Sequence, residues 1–235
     1  MARSKPARRS TPTTRGHTAR KVWPPERKRV AAILRGLDRL YPEADCELHR
    51  DNPFQLLCAT VLSAQCTDER VNQVTPPLFA QFPTPAAMAM APPPVLEELI
   101  HSTGFFRNKT KSLLGASRAI VERHGGQVPH TMAELCELPG VARKTANVVL
   151  GTAFGLAEGI VVDTHVQRLA QRLALTRSST PEKIEQDLMT VIPREWWVQF
   201  AHQMIWHGRR CCFARRPDCE HCPLVPLCPS AFHAS

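Results

Sequence analysis

The stretch TMAELCELPGVARKTA, residues 131–146, predicts two helices joined by a tight turn. Thr131 and Glu134 form the T-x-x-E pattern of a capping box, which begins a helix that we expect to end at the Pro-Gly pair 139–140. A second helix is predicted from Arg143 onward. Two helices linked by so short a glycine-containing turn form a helical hairpin. The turn amides and the N-terminus of the second helix together make a site for an anion.

Arg143 and Lys144 place two positive charges at this hairpin. An anion site formed mainly by backbone amides favours the sugar–phosphate chain of DNA or RNA, held without reading its bases. The alternative is a loop that only packs two helices together, with its basic side chains solvated. The residues alone leave these two interpretations open.

Outside the hairpin the chain is predicted to be helical from Pro24 onward. Apolar residues recur at helical spacing in segments near 30–41, 54–62 and 197–205. Three pairs of a capping residue followed by proline mark helix starts: Asn52-Pro53, Thr84-Pro85 and Thr180-Pro181. The run GIVV at 159–162 is extended, but it is too short to build a sheet. The predicted fold class is therefore all-α.

Four cysteines near the C-terminus follow the spacing C-x6-C-x2-C-x5-C in the segment CFARRPDCEHCPLVPLC, residues 212–228. Three prolines in this segment argue against a regular helix or strand. Four thiolates around a metal centre would give it one shape, because the free energy of metal binding then becomes folding free energy. The spacing alone does not distinguish zinc from iron–sulfur, and Cys211 beside Cys212 leaves the first ligand open.

Disulfide pairing is the alternative for these cysteines. The chain has nine cysteines, an odd number, and three of the others lie in apolar helical patterns. Residues 1–21 contain no apolar run of the kind found in secretory signals, and no stretch is long enough to span a bilayer. These observations favour a reduced, intracellular protein with a metal-type site.

The basic residues are concentrated in the N-terminal tail. The formal net charge is +9, and residues 1–21 hold seven lysines and arginines and no acid, so the remainder carries only about +2. Serine, threonine and proline fill the gaps, which predicts that residues 1–24 are disordered. Such a tail would add salt-sensitive attraction to a polyanion. A solubilising tail and an organelle transit peptide are the alternatives.

The hairpin run LPGVARKTANVVLGTAFG, at 138–155, and the following VDTHVQRLAQRL, at 162–173, resemble the helix-hairpin-helix DNA glycosylases. The match is closest to the endonuclease III family of DNA glycosylase/AP lyases. The runs LLCATVLSAQCTD, at 56–68, and GFFRNKTKSL, at 104–113, look like the same family, as does the four-cysteine array. The resemblance covers about residues 25–230, with the motifs in family order.

The resemblance implies two α-helical domains with DNA lying across the cleft between them. A six-helix domain that contains the hairpin is expected at 46–156, and a discontinuous domain at 25–45 and 157–235. The cysteine array is then expected to hold a [4Fe–4S] cluster, with Cys212 rather than Cys211 as the first ligand. The full implied ligand set is Cys212, Cys219, Cys222 and Cys228.

By position, Lys144 matches the family's nucleophilic lysine and Asp163 its catalytic aspartate. The residue types suit the chemistry, because a lysine amine can attack C1′ of a nucleotide and an ionised carboxylate can stabilise a positive sugar or accept a proton. From the residues alone, Lys144 is also consistent with a simple phosphate contact. Asp163 is likewise consistent with an N-cap of the helix predicted at 164–175. The resemblance favours catalysis for both.

The resemblance also implies further DNA contacts. Gln65 matches the family's wedge residue, which fills the gap left by an extruded base, and Phe105 stands where an aliphatic wedge, usually leucine, is expected. Ala142 replaces the second glycine of the hairpin, usually LPGVGRKTA; with φ > 0 this alanine would cost about 1 kcal/mol and crowd a phosphate. The hairpin residues implied to hold DNA are Pro139, Gly140, Val141, Ala142 and Arg143.

The implied function is base excision repair of oxidised pyrimidines in duplex DNA, with strand nicking by β-elimination. We expect a monomer without membrane contact, in the cytoplasm and nucleoid of a bacterium or in the nucleus or mitochondrion of a eukaryote. One alternative is a monofunctional glycosylase acting on adenine or mismatched thymine, against which Lys144 argues. The other is a non-catalytic helix-hairpin-helix DNA-binding protein, against which the combination of Lys144 and Asp163 argues.

Overall fold

Residues 23–233 are described by a computed structural model. They form eleven α-helices and three short 3-10 turns, and no strand occurs within that range, so the predicted all-α class is confirmed. The 3-10 turns lie at His101–Thr103, Arg194–Trp196 and Val225–Leu227. The helices are α1 Arg27–Leu40, α2 Pro53–Leu62, α3 Asp68–Gln81, α4 Pro85–Ala89, α5 Pro93–Ile100, α6 Phe106–His124, α7 Met132–Cys136, α8 Arg143–Phe154, α9 Thr164–Arg172, α10 Pro181–Val191 and α11 Trp197–Arg210.

The predicted helix starts are local features that the structure reproduces. The Asn52 side chain accepts a hydrogen bond from the Gln55 amide at the start of α2, and Thr84 caps α4 in the same way. Helix α10 begins at Pro181 as expected, although Thr180 makes no capping bond with its side chain. Local sequence therefore places these N-termini correctly.

Two predicted helix ends lie further along the chain than the structure places them. Helix α7 ends at Cys136 and continues as turns to Gly140. Helix α9 ends at Arg172, where Ala174 takes a left-handed backbone with φ 49° and the Leu175 amide bonds back to the Ala170 carbonyl. The carbonyls of Leu173 and Ala174 accept hydrogen bonds from the Arg29 guanidinium of α1. A distant side chain thus satisfies groups that another helical turn would have used.

The first hydrophobic core lies between residues 48 and 150. It is built by the apolar faces of α2 to α8, and α2 packs directly against α8. Its most deeply buried side chains include Leu62, Leu78, Ile100, Ile120 and Leu150, all at 0% exposure. Helix α8, which carries Lys144, is therefore anchored by its Val149 and Leu150 face in this core.

The second hydrophobic core joins the two ends of the described chain. Helix α1 packs against α11, and α11 against α9, around Ile33, Leu37 and Phe200 at 0% exposure. The extended run 159–162 buries Ile160 and Val162 in the same core. Its apolar residues are therefore explained by helix packing and not by a sheet. We propose that the two cores mark the two domains expected from the sequence, whose boundaries stay a prediction.

The basic tail predicted at 1–24 falls almost entirely outside the described residues. Among residues 23–233, no helix has the length and apolar character needed to cross a membrane.

Candidate active site and cysteine-rich centre

A cavity of about 110 Å³ lies where the two cores meet. Thr60, Ser63 and Lys144 line it from the side of the first core, and Asp163 and His202 from the side of the second. The structure therefore brings the predicted nucleophile and the predicted carboxylate to one cavity, although they lie 19 positions apart along the chain. The cavity is open to a ligand at the junction rather than buried inside either core.

Lys144 is the second residue of α8 and its side chain is exposed. The helix starts here because Ala142 leaves helical geometry with φ −92° and ψ 168°. Lys144 thus lies in the first turn of a 12-residue helix, where unpaired amides concentrate positive potential. That end attracts an anion such as a phosphate beside the amine.

Ala142 is not strained. Its φ of −92° is one that any residue adopts, so the backbone cost considered for φ > 0 does not arise. The left-handed residue of the turn is Gly140, with φ +79°. A Cβ at Gly140 would also overlap the side chain of Ser112 in α6, so this glycine is required for two independent reasons.

Arg143 is paired with Glu185, although its side chain stays 48% exposed. Its Nε lies 3.1 Å from Glu185 Oε2, and its Nη2 lies 3.0 Å from Glu185 Oε1. The Asn147 side-chain amide donates to the same Oε1 at 2.8 Å. Glu185 lies in α10 and is only 8% exposed, and its hydrogen bonds with the guanidinium raise the pKa of Arg143. This network fastens the start of α8 to the second core.

Asp163 caps α9, as the sequence predicted. Its Oδ1 accepts a hydrogen bond from the Val166 amide at 2.8 Å, with φ −96° and ψ −173° at the cap. The cap orients the carboxylate, and the residue also lines the cavity that Lys144 lines. Capping and a chemical role are therefore compatible, because the cap occupies one oxygen and leaves the second available.

Gln65 and Phe105 share an unusual backbone geometry. Both are non-glycine residues in the left-handed region, with φ 54° and 49°. Both are exposed, and Phe105 shows 63% of its surface to solvent. Left-handed backbone and an exposed aromatic ring are costly features that persist at binding sites when the surroundings hold them in place.

His202 was not predicted as a site residue, but it lines the cavity and is only 9% exposed. Its Nε2 lies 3.3 Å from Thr152 Oγ1 and 3.9 Å from Asp45 Oδ1. Burial lowers the pKa of His202, and the Asp45 charge only partly opposes this. A histidine on an otherwise apolar helix face was the available signal, but it is equally typical of a satisfied core histidine.

A set of ion pairs at the lining of the cavity was also not predicted from the sequence. Arg209 of α11 contacts Glu47 and lies 2.7 Å from Asp68 Oδ2 at the start of α3. Arg210 contacts Glu47 as well, at 3.3 Å. These ion pairs connect the second core to the loop and helix that lead into the first, so they hold the two walls of the cavity at a set separation.

The cysteine-rich centre packs against the second core through Cys212, Cys222 and Cys228. The thiols of Cys212, Cys219, Cys222 and Cys228 line one apolar cavity, together with Cys211 and His207. All nine cysteines of the chain are free thiols. Four sulfur donors in one apolar cavity fit a metal centre of the thiolate-bound type.

The distances between ligand atoms do not show whether Cys211 or Cys212 is the first ligand of this centre. The ligand atoms of His207, Cys211 and Cys222 all lie within 4.8 Å of one another, a group that includes Cys211 and omits Cys212. Cys212 Sγ instead accepts a hydrogen bond from Arg172 at 3.3 Å. Burial is the main cause that raises the pKa of Cys211 to about 12, and neighbouring thiols add to it.

The chain matches a family of known proteins over most of its helical region. Residues 58–194 match the family described as "HhH-GPD superfamily base excision DNA repair protein". Endonuclease III of Synechocystis sp. is 56% identical over 206 residues, which cover 88% of this chain and 94% of that protein. Endonuclease III of Bacillus subtilis is 43% identical, covering 86% and 92%.

Solved structures give the same picture. A non-covalent endonuclease III–DNA complex superposes with a TM-score of 0.83 at 42% identity, covering 88% of this chain and 97% of that one. A trapped endonuclease III–DNA covalent intermediate gives the same values. A thermostable thymine-DNA glycosylase has a TM-score of 0.77 at 20% identity, a likeness of fold alone.

Proposed function

The chain belongs to the HhH-GPD superfamily of base excision DNA repair proteins, and we propose that it acts there as a bifunctional DNA glycosylase/AP lyase of the endonuclease III type. Its substrate is duplex DNA that contains oxidised pyrimidines or abasic sites. One observation carries the chemistry: an exposed lysine at a helix N-terminus and a capping aspartate line the same cavity between two cores.

The reaction begins with extrusion of the damaged nucleotide toward this cavity. The neutral amine of Lys144 attacks C1′, the bond from C1′ to the base breaks, and the base leaves with a proton. The lysine nitrogen then forms a Schiff base with the opened sugar. Loss of a C2′ proton breaks the C3′–O bond by β-elimination, which nicks the strand 3′ to the lesion.

Asp163 supports the steps in which the sugar becomes positive or loses a proton. Its Oδ1 is held by the Val166 amide, which fixes the carboxylate plane. The second oxygen is the one that we assign to stabilising positive charge at C1′ and to accepting a proton. A carboxylate held by a helix cap needs little reorganisation during the reaction.

DNA is held by its backbone at the hairpin and by a wedge in the duplex. The hairpin turn 139–142, through the amides of Gly140 and Ala142, and the N-terminus of α8 are proposed to bind a phosphate. Arg143 is proposed to contact DNA as well, since its side chain stays half exposed, and its pairing with Glu185 orients the turn. Gln65 and Phe105 are proposed to fill the gap that the extruded base leaves.

We propose that the cysteine-rich centre binds a [4Fe–4S] cluster through Cys212, Cys219, Cys222 and Cys228. The support is the donor set of four thiols in one apolar cavity, together with the family membership. When bound, the cluster supplies structural cross-links to a segment that has little regular structure. The chemistry at Lys144 does not pass through it.

The organisms of the similar endonuclease III proteins are bacteria, which supports action on the bacterial nucleoid. We propose that the protein works as a monomer, since one chain carries the whole cavity.

Borohydride trapping on DNA that contains an abasic site tests the proposed nucleophile. Lys144→Ala should abolish the covalent complex and still bind lesion DNA, whereas Lys183→Ala, an exposed lysine on α10, should leave trapping unchanged. Asp163→Asn retains the cap and should slow single-turnover base excision at least ~100-fold. Lyase activity in Lys144→Ala would contradict the assignment and favour a monofunctional glycosylase.

A further inference from the structure

Lys109 of α6 carries a buried ammonium group that pairs with no carboxylate among residues 23–233 and instead contacts backbone carbonyls. The residue is only 5% exposed, and burial lowers its pKa. A buried charge is costly unless hydrogen bonds replace the water that it loses. Its contacts therefore show what the protein gains from placing a lysine here.

The Lys109 ammonium donates to two backbone carbonyls that belong to different segments. Its Nζ lies 2.8 Å from the carbonyl oxygen of Leu62 and 2.8 Å from that of Thr103. Leu62 is the last residue of α2, and Thr103 is the last residue of the 3-10 turn that precedes α6. Carbonyls at such ends lack a helical partner and carry partial negative charge, so a cation is favourable at both.

Each of these two ends leads into one of the proposed wedge residues. Gln65 comes three residues after Leu62, and Phe105 comes two residues after Thr103. Both wedge residues hold the left-handed backbone that costs a non-glycine residue of the order of 1–2 kcal/mol. Such backbone persists only where the surroundings fix it. One ammonium fixes the chain immediately before both.

We propose that Lys109 is a positioning residue for base extrusion, because its ammonium ties the Gln65 loop to the Phe105 loop. This inference rests on the proposed function and on the wedge roles given there. The tie holds the two wedges at one separation before DNA binds, so the loops lose little conformational freedom when they enter the duplex. Without the tie, each loop would have to be ordered while the base is leaving the stack.

Extrusion can be followed with 2-aminopurine next to the lesion, whose fluorescence rises when the stack opens. Lys109→Met should lower the extrusion amplitude and slow single-turnover excision by roughly tenfold on a paired lesion. A tenfold slower rate corresponds to an activation free energy that is higher by about 1.4 kcal/mol. On the same lesion opposite an abasic analogue, where extrusion is easier, the loss should fall below about twofold. Lys111→Met, at an exposed lysine of the same helix, should behave as the unsubstituted protein.

A double-mutant cycle separates positioning from general support of the fold. In a protein that already carries Gln65→Ala and Phe105→Ala, Lys109→Met should cause no further loss of extrusion. A full additional loss in that background would overturn the proposal. Lys109→Arg, which retains donors for both carbonyls, should recover extrusion at least in part.

If Lys109→Met does not fold, hydrogen exchange of the unsubstituted protein decides the question. The Cys66 amide, bonded to the Ser63 carbonyl, reports on the first loop, and the Gly104 amide, bonded to the His101 carbonyl, reports on the second. If Lys109 couples the two loops, the two amides should exchange through one opening event with the same free energy. Different opening free energies at the two amides would refute the proposal. Trapping at Lys144 is read separately, so failure of the tie and failure of the proposed chemistry are distinguishable.

Discussion

The first core is formed by the apolar faces of helices, whereas the second core also packs against the cysteine-rich segment 211–233. In that segment arginine side chains, rather than helical hydrogen bonds, pair the backbone carbonyls. From 211 to 233 the only regular structure in the described chain is the 3-10 turn Val225–Leu227. Arg172 donates to the carbonyls of Phe213 and Ala214, and Arg168 to those of Gly208 and Cys212. Backbone groups that a helix would pair internally are here paired by side chains.

The two regions are therefore sensitive to different kinds of change. The first core depends on packing, so it responds to changes of volume and backbone geometry. The second depends on a few donors and on the thiol centre, so chemical loss of one group should disturb many backbone contacts at once. The cavity with Lys144 and Asp163 lies between the two and requires both.

The largest expected effect is the loss of a cysteine ligand. Cys219→Ser should lose both the cluster and solubility, because the segment 211–233 then lacks its cross-links. Iron content, expected at about four per chain, and broad visible absorbance measure the loss. Hydrogen exchange should show the cysteine segment opening while α8 stays protected.

Two further serine variants identify the first ligand. Cys211→Ser should keep iron and colour, and Cys212→Ser should lose them. The reverse result would show that the assignment is wrong by one residue, in line with the short distances among His207, Cys211 and Cys222. One zinc per chain and no iron would remove the cluster proposal altogether.

The next effect concerns packing at the hairpin. Gly140→Ala should lower the free energy of unfolding by about 2–4 kcal/mol, because it adds left-handed strain to an overlap with Ser112. Gly126→Ala is the matched control, since Gly126 has φ +82° with no atom within 4 Å of an added Cβ. That variant should lose only about 1 kcal/mol in chemical denaturation, and equal losses would mean that Ser112 moves aside.

A smaller effect is expected from removing one arginine of the second core. Arg29 donates to the carbonyls of Leu173, Ala174 and Leu227, at 2.9, 3.2 and 2.9 Å. Arg29→Met should therefore cost about 1–3 kcal/mol in unfolding free energy and loosen the 3-10 turn near Cys228. Arg35→Met, at an exposed position of the same helix, should be close to neutral. A neutral Arg29→Met would indicate that packing alone holds this segment.

The smallest effect is a dependence on pH that should belong to the second core. Burial is the leading cause that lowers the pKa of His165 and of His202, in α9 and α11. The unfolded chain binds these protons near pH 6.5, above the folded pKa values, so stability is full above that pH and falls as the pH drops below it. His202→Gln should flatten the decline measured by denaturation between pH 7 and 5. An unchanged slope would place the acid sensitivity elsewhere.

Much of the candidate site was predictable from local patterns. Asp163 was expected to cap a helix and does so, and Thr131 caps α7 through the Glu134 amide as its pattern indicates. The four thiols were expected to converge and line one cavity. These features depend on neighbours within a few residues, or on a donor spacing short enough to read directly.

Other features depend on groups that are distant in the chain. Nothing near Arg143 indicates that Glu185, 42 positions later, would hold its guanidinium. In the sequence, Lys109 is one of several basic residues near the start of α6. Its two partners, the carbonyls of Leu62 and Thr103, are identified only by the structure. Long side chains reach partners that only the packing of helices brings near.

By itself the sequence determined the helical class, the helix starts and the spacing of the cysteine array, because each is written in short-range spacing or in residue type. Lys144 and Asp163 were selected as candidates only through the family resemblance, since their residue types alone also suit a phosphate contact and a helix cap. Only the tertiary structure decided that Lys144 and Asp163 share a cavity, that Ala142 is unstrained, and that one buried ammonium joins two loops. The physical reason is that helix packing sets distances between residues far apart in the chain, which no local pattern records.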